Sequence, residues 1–130
     1  MGRVTGVPSA SLVHRVLVVE DHADSAELLQ TFLRSFGHRV EVAEDAGSAI
    51  AIARDLRPSV ILLDVGLPIV DGIELARMLR TDLGPDVRMI AVTANGDPET
   101  RKRARDATIT HFLLKPVQLD EVAAALTSWA

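Results

Sequence analysis

Short apolar runs and longer amphipathic stretches alternate along this chain five times. Val16-Leu17-Val18-Val19 is an apolar run ending in Glu20-Asp21, the pattern of a buried strand with acids at its C-terminal tip. Leu28, Leu29, Phe32, Leu33 and Phe36 then recur at helical spacing, with Asp24 or Ser25 as the expected cap and Gly37 as the stop. Arg39 to Ala43 alternates with period two and predicts an edge strand with one wet face. Asp45 caps a helix carrying Ala49, Ile50 and Ala53, which must end before Pro58. Val60-Ile61-Leu62-Leu63 is the most apolar run and ends at Asp64, as a central strand covered on both faces would. A loop through Pro68 leads to Gly72 and a helix with Leu75, Ala76 and Leu79. Val87 to Thr93 predicts a fourth strand, and Asp97-Pro98-Glu99 opens the next helix with a cap, a proline and an early acid. His111 to Leu114 is a short fifth strand before Lys115-Pro116, and Leu119, Val122, Ala123 and Leu126 mark a last amphipathic helix.

Strands alternating with helices in this way imply an α/β fold with a parallel sheet. Parallel strands need crossovers, and right-handed crossovers cover both faces. Periodicity leaves the strand order open. Ligands of such sheets bind outside the carboxyl ends of the strands. Glu20 and Asp21 end the first strand, Asp64 the third, Thr93 the fourth and Lys115 the fifth. Three carboxylates, one hydroxyl and one ammonium are therefore expected to converge at one edge.

Any one of these residues alone would be ordinary. An acid at a strand end is usually a solvated loop residue or a helix cap, and Lys115 alone would read as a surface charge. The set, falling at successive strand ends, is what points to chemistry. Carboxylates held that close repel each other unless a cation joins them. Oxygen donors without nitrogen or sulfur suit a hard ion such as Mg2+, or Mn2+. Asp64 is then the expected nucleophile toward a phosphoryl group, with Lys115 pairing one of its oxygens and Thr93 donating to another.

Composition narrows the class without naming it. The 130 residues suit one domain, and 48% hydrophobic with only 3% aromatic residues means an aliphatic core. The absence of cysteine excludes disulfides and thiolate metal sites. A net charge of −4 gives no general electrostatic reason to bind nucleic acid or an anionic membrane. No apolar run approaches the ~18 residues of a membrane span. Residues 1–13 are expected to be a flexible leader and 14–130 the domain, with a cytoplasmic location as the default.

The ordered segments Val-Leu-Val-Val-Glu-Asp at 16 to 21, Leu-Leu-Asp-Val-Gly-Leu-Pro at 62 to 68, Asp-Gly at 71 to 72, Val-Thr-Ala at 92 to 94 and Lys-Pro at 115 to 116 resemble bacterial response regulator receiver domains. The resemblance covers roughly Arg15 to Ala125. It implies a flavodoxin-like, five-stranded parallel sheet in the order 2-1-3-4-5 with five helices on both faces. It further implies Asp64 as phosphoacceptor and Asp21 as a direct Mg2+ ligand. Glu20 would act on the metal mainly through water, and Gly66 would offer its backbone carbonyl. Thr93 and Lys115 would contact the phosphoryl group, and the Lys115–Pro116 bond would be cis. The implied donor is a histidine kinase or a histidine phosphotransfer protein, and the implied output a surface change recognised by an unknown downstream protein. In that change Thr93 moves toward the phosphoryl group and Phe112 swings inward. The same face, made of the fourth helix, fifth strand and fifth helix, is the implied dimer surface.

Some positions depart from the family pattern. Phe112 stands where tyrosine is frequent and offers no hydroxyl. Ala107-Thr108-Ile109-Thr110 replaces a segment where glycine and an acid are common, so an unusual turn is expected there. Arg101, Lys102, Arg103 and Arg105 read as a solvated helical face, and His14, His22, His38 and His111 show no ligand spacing. Two other functions compete with phosphotransfer. An aspartyl phosphatase of the haloacid dehalogenase type would carry an acid where Gly66 stands. An inactive, binding-only receiver would tend to lack an acid or the lysine, and this chain keeps both.

Overall fold

The computed structural model describes residues 13–128, so the expected leader lies, apart from Val13, outside the described residues. Strands and helices alternate as β1 (Arg15–Val19), α1 (Ala23–Ser35), β2 (Arg39–Ala43), α2 (Ala46–Leu56), β3 (Val60–Asp64), α3 (Gly72–Leu83), β4 (Arg88–Thr93), α4 (Pro98–Asp106), β5 (His111–Leu114) and α5 (Leu119–Thr127). All pairings are parallel and the sheet order is β2-β1-β3-β4-β5. This is the flavodoxin-like order, with its topological switch between β1 and β3.

Because successive strand residues face opposite sides, each central strand supplies two cores. Val16, Val18, Val60, Leu62, Ile90 and Val92 pack with Leu29 and Leu33 of α1 and Val122 and Leu126 of α5. Leu17, Val19, Ile61, Leu63, Met89 and Ala91 pack on the other side with α2, α3 and α4, through residues such as Ala53, Leu79 and Ala104. Every residue of β3 is buried, its terminal acid included. Truncating Leu62 to alanine would cost about 2–5 kcal/mol.

Three helices start on aspartate caps, two of them (Asp45 and Asp97) expected from the sequence and the third, Asp71, seen only in the structure. Asp45 forms a capping box with Ser48, Asp71 accepts from the backbone N–H of Ile73 and Glu74, and Asp97 accepts from Thr100 N–H ahead of Pro98. Helix α1 differs from the expectation: its N-cap is His22, which makes no side-chain cap bond. Asp24 instead lies in the first turn, where its charge faces the positive end of the helix dipole. The buried stripe of α1 is also narrower than its spacing suggests, since Leu28 is 56% and Phe36 51% exposed. Phe36 stands just past the last helical residue, and Gly37 makes the turn at φ +89°.

The turn between α4 and β5 is unusual, as its sequence suggested. Thr108 holds φ +60°, a conformation that suits glycine far better than a β-branched residue. Arg80 at the end of α3 braces it. Its guanidinium donates to Thr108 Oγ1 (2.9 Å), to the Thr108 carbonyl (3.0 Å) and to the Val87 carbonyl (2.6 Å).

Candidate functional site

At the carboxyl edge of the sheet Asp64, Glu20 and Thr93 are each about 95% buried, which is unusual for such residues. Lys115 Nζ lies 3.1 Å from Asp64 Oδ2 and 3.1 Å from Glu20 Oε1, bridging the ends of β1 and β3. Partial burial works against the charge on Lys115. The hydrogen bonds and charges of Asp64 and Glu20 outweigh it and raise the lysine above its ordinary pKa. The Lys115–Pro116 peptide bond is cis.

The other oxygen of Asp64 accepts the Gly66 N–H at 2.9 Å, so the loop after β3 also fixes the carboxylate. Gly72, the first residue of α3, lies on the backbone of Asp64 and Val65. A Cβ there would stand 2.7 Å from the Val65 α-carbon. Thr93 Oγ1 accepts the Asn95 N–H at 3.1 Å, which leaves its own hydrogen for another acceptor.

Asp21 contributes an Oδ1 that is out of water and has no hydrogen-bond partner. His22 Nδ1 lies 3.0 Å from Glu20 Oε2 and 3.4 Å from Asp21 Oδ1. The hydrogen bond to Glu20, followed by the charges of Asp21 and Glu20, raises the His22 pKa. One donor atom from each of Glu20, Asp21, His22 and Asp64 fits within 4.8 Å. A single ammonium does not balance three carboxylates at this range, and the orphaned Asp21 oxygen is the kind of donor a cation satisfies. The residues present therefore fit a divalent ion.

The structure brings Glu20, Asp21, Asp64 and Lys115 into one cluster, with Gly66 against Asp64 and Thr93 at the neighbouring strand end. Phe112 lies on β5, outside that contact network and half-buried against the core. Its ring is covered by the Arg101 guanidinium at 4.6 Å, and Arg101 also donates to the Gly96 carbonyl at 3.1 Å. The basic residues of α4 are exposed, as their sequence suggests, and two of them also form surface ion pairs. Lys102 pairs with Asp106 at 2.8 Å and Arg103 with Asp71 at 3.2 Å. In the sequence His22 shows no ligand spacing although it lies next to the acidic site, and the structure turns its ring back onto the two acids before it. Beside the cluster runs a groove of about 510 Å³, with Leu28, Leu29, Val117 and Leu119 along its apolar wall and Glu20, His22 and Lys115 at its polar end.

A doubly wound 2-1-3-4-5 sheet carrying acids, a hydroxyl and a lysine at its carboxyl edge defines a flavodoxin-like α/β domain with its polar site at the topological switch. Residues 16–127 match the family model of the response regulator receiver domain, and the chain belongs to that family, the receivers of two-component signalling. It is 41% identical over 123 residues to sensor histidine kinase AruS of Pseudomonas aeruginosa, covering 92% of this chain and 12% of the kinase. Among solved structures it is similar to the receiver domain of the P. aeruginosa sensor histidine kinase PA1611, which has a magnesium ion coordinated in its active site cleft. There the TM-score is 0.77 at 31% identity, over 90% of this chain and 97% of that one. It is also similar to the receiver domain of Saccharomyces cerevisiae Ssk1, crystallised with the histidine phosphotransfer protein Ypd1 (TM-score 0.82, 26% identity, 90% and 88% covered). The chain spans 12% to 48% of the length of the first curated relatives it matches. Among the described residues no helix is long and apolar enough to cross a membrane.

Proposed function

We propose that residues 14–130 form a phosphoacceptor receiver that takes a phosphoryl group onto Asp64 from the phosphohistidine of a histidine kinase or histidine phosphotransfer protein. The observation that carries this reading is Asp64 itself. It is a buried carboxylate at the end of the central strand, held between the Lys115 ammonium at 3.1 Å and the Gly66 N–H at 2.9 Å. In the transfer, a carboxylate oxygen of Asp64 forms the new O–P bond while the P–N bond to the donor imidazole breaks. The bonding pair returns to the imidazole, which takes up a proton. Lys115 stabilises charge on the transferring oxygens, and the Thr93 hydroxyl donates to one of them.

Glu20, Asp21, Asp64 and the Gly66 carbonyl would hold Mg2+ or Mn2+. When bound, the ion offsets the negative charge shared by phosphoryl group and carboxylates. The apolar groove beside the site supports a protein donor, since it offers Leu28 and Leu119 to a helix surface next to the acceptor. Thr93 and Phe112 are the switch pair in this reading. Their movement alters the α4–β5–α5 face, which serves a downstream protein or a second copy of the chain. The location is cytoplasmic, where the donor's phosphohistidine is made. An aspartyl phosphatase is disfavoured because Gly66 stands where its general acid would be.

Intact-mass measurement of wild type and Asp64→Asn after acetyl phosphate treatment, with Mg2+ or with chelator, tests this. The expected result is one phosphoryl adduct on the wild type, dependent on metal, and none on the variant. A wild type left unmodified by acetyl phosphate and also by a competent kinase would overturn the proposal in favour of a binding-only module.

A further inference from the structure

We propose that His22 is an additional donor of the metal site, giving it one nitrogen ligand and a preference for a borderline divalent ion of the Mn2+ or Zn2+ class over Mg2+. This rests on the metal-binding reading above and extends it to a residue outside the oxygen set.

The case is geometric. His22 Nδ1 lies 3.0 Å from Glu20 Oε2 and 3.4 Å from Asp21 Oδ1, and the four donor atoms share a volume 4.8 Å across. Two donors at right angles around an ion with bonds of roughly 2.1 Å stand about 3 Å apart, so His22 and Glu20 are already at that spacing. A hydrogen bond to Glu20 alone would explain the first distance. It leaves the Asp21 Oδ1 buried and unpartnered beside an imidazole nitrogen, which a shared ion would resolve. The ring is held at the mouth of the site from the N-cap of α1, and its side chain is 69% exposed, so an ion can reach it. Glu20 and Asp64 are closed off behind it, with side chains 5% and 6% exposed.

Imidazole binds Mn2+ weakly and Zn2+ strongly, but adds almost nothing for Mg2+, which prefers carboxylate, carbonyl and water. One added nitrogen therefore acts as a selectivity element rather than a general affinity gain. The domain would load a transition ion at concentrations where an all-oxygen site would hold Mg2+.

The test compares wild type, His22→Ala and Asp64→Asn, all as the full chain. Mn2+ binding is followed by loss of the free-ion resonance, Mg2+ and Zn2+ by competition, and the ligand by nitrogen hyperfine coupling to bound Mn2+. The expected result is nitrogen coupling in the wild type that is absent in His22→Ala. The variant should also lose about tenfold in Mn2+ and Zn2+ affinity while keeping its Mg2+ affinity. Bound Mn2+ without nitrogen coupling, or unchanged selectivity in His22→Ala, would overturn the inference and leave the oxygen site standing. Failure of all three ions to bind the wild type would overturn the metal reading itself.

Discussion

A methyl group added at Gly72 tests whether α3 positions the Asp64 carboxylate. The glycine Cα lies against the backbone of β3. A Cβ there would be 2.7 Å from the Val65 α-carbon and 2.9 Å from the Asp64 carbonyl carbon, with the Asp64 carbonyl oxygen nearer still. Carbon–carbon contacts settle at about 3.5–4.0 Å, so α3 and the end of β3 must separate by roughly 1 Å. Alanine gains up to ~1 kcal/mol in helix preference over glycine, less at the first helical position. Overpacking against backbone costs about 1–3 kcal/mol and strains the Gly72 N–H bond to the Val65 carbonyl, so it wins. The expected net loss for Gly72→Ala is about 1–2 kcal/mol in urea unfolding. The larger effect is on chemistry. A displacement near 1 Å of a reacting group costs on the order of 100-fold in rate, read here as the rate of acetyl phosphate labelling by intact mass. Gly84→Ala is the control: Gly84 has φ +93° and open space around it, so alanine there strains the backbone far from Asp64. It should lose comparable stability and keep its labelling rate. Equal labelling by Gly72→Ala and Gly84→Ala would refute the claim that the α3–β3 contact holds Asp64 in place.

Lys115→Met should abolish labelling. Because Lys115 is raised above its ordinary 10.5, the stability it contributes is present below that pH and lost as pH rises through the folded-state value. Alkaline unfolding curves of wild type should therefore fall toward those of the variant. His38 has the opposite sense. Burial, then the neighbouring His14, lowers it from 6.5, so its contribution is present above pH 6.5 and lost as pH falls through the folded value. Its Nδ1 accepts the His14 N–H at 3.0 Å, and His38→Gln should show a weaker acid-side loss by thermal melting between pH 7 and pH 5 (roughly the histidine range). Arg80→Met should cost about 2–3 kcal/mol in urea unfolding, by stranding the Val87 and Thr108 carbonyls. A loss below 0.5 kcal/mol (about the level of an ordinary surface change) would mean water replaces it fully.

The strands, their ends and four of the helix starts or stops were legible because they rest on local chemistry: β-branched runs, Asp caps and glycine. Asp64 and Glu20 were legible as neighbours at the carboxyl edge because a strand end in a parallel sheet has only one place to be. Strand order was not readable from periodicity, since it is set by which crossovers pack together, and it came only with the family resemblance. The cap of α1 is not legible because Asp24 and Ser25 look like caps, whereas the backbone enters the helix two or three residues earlier, at His22. Arg80 and Arg101 were invisible for a different reason. An arginine on a helix reads as a solvated charge until the carbonyls or the ring that receive it are in view. The place of His22 beside the acidic site was legible, but its contacts with Glu20 and Asp21 were not, since no spacing rule flags a histidine that folds back on the two acids before it.

His14 ties together parts of the chain far apart in sequence. Its ring is buried, with Nδ1 3.1 Å from Ser59 Oγ before β3 and Nε2 3.3 Å from the Leu126 carbonyl near the end of α5. That anchor sits at the opposite end of the sheet from Lys115, so α5 is fastened at its far end and leads from the site at its near one. A phosphoryl-driven rearrangement of the β5–α5 loop would therefore turn the helix about a fixed hinge rather than slide it along the sheet. Motion would be greatest at Leu119 and would fade toward Leu126. Amide exchange along α5, compared with and without phosphoryl group, would register it as a gradient; a uniform change along the helix would mean the hinge gives way.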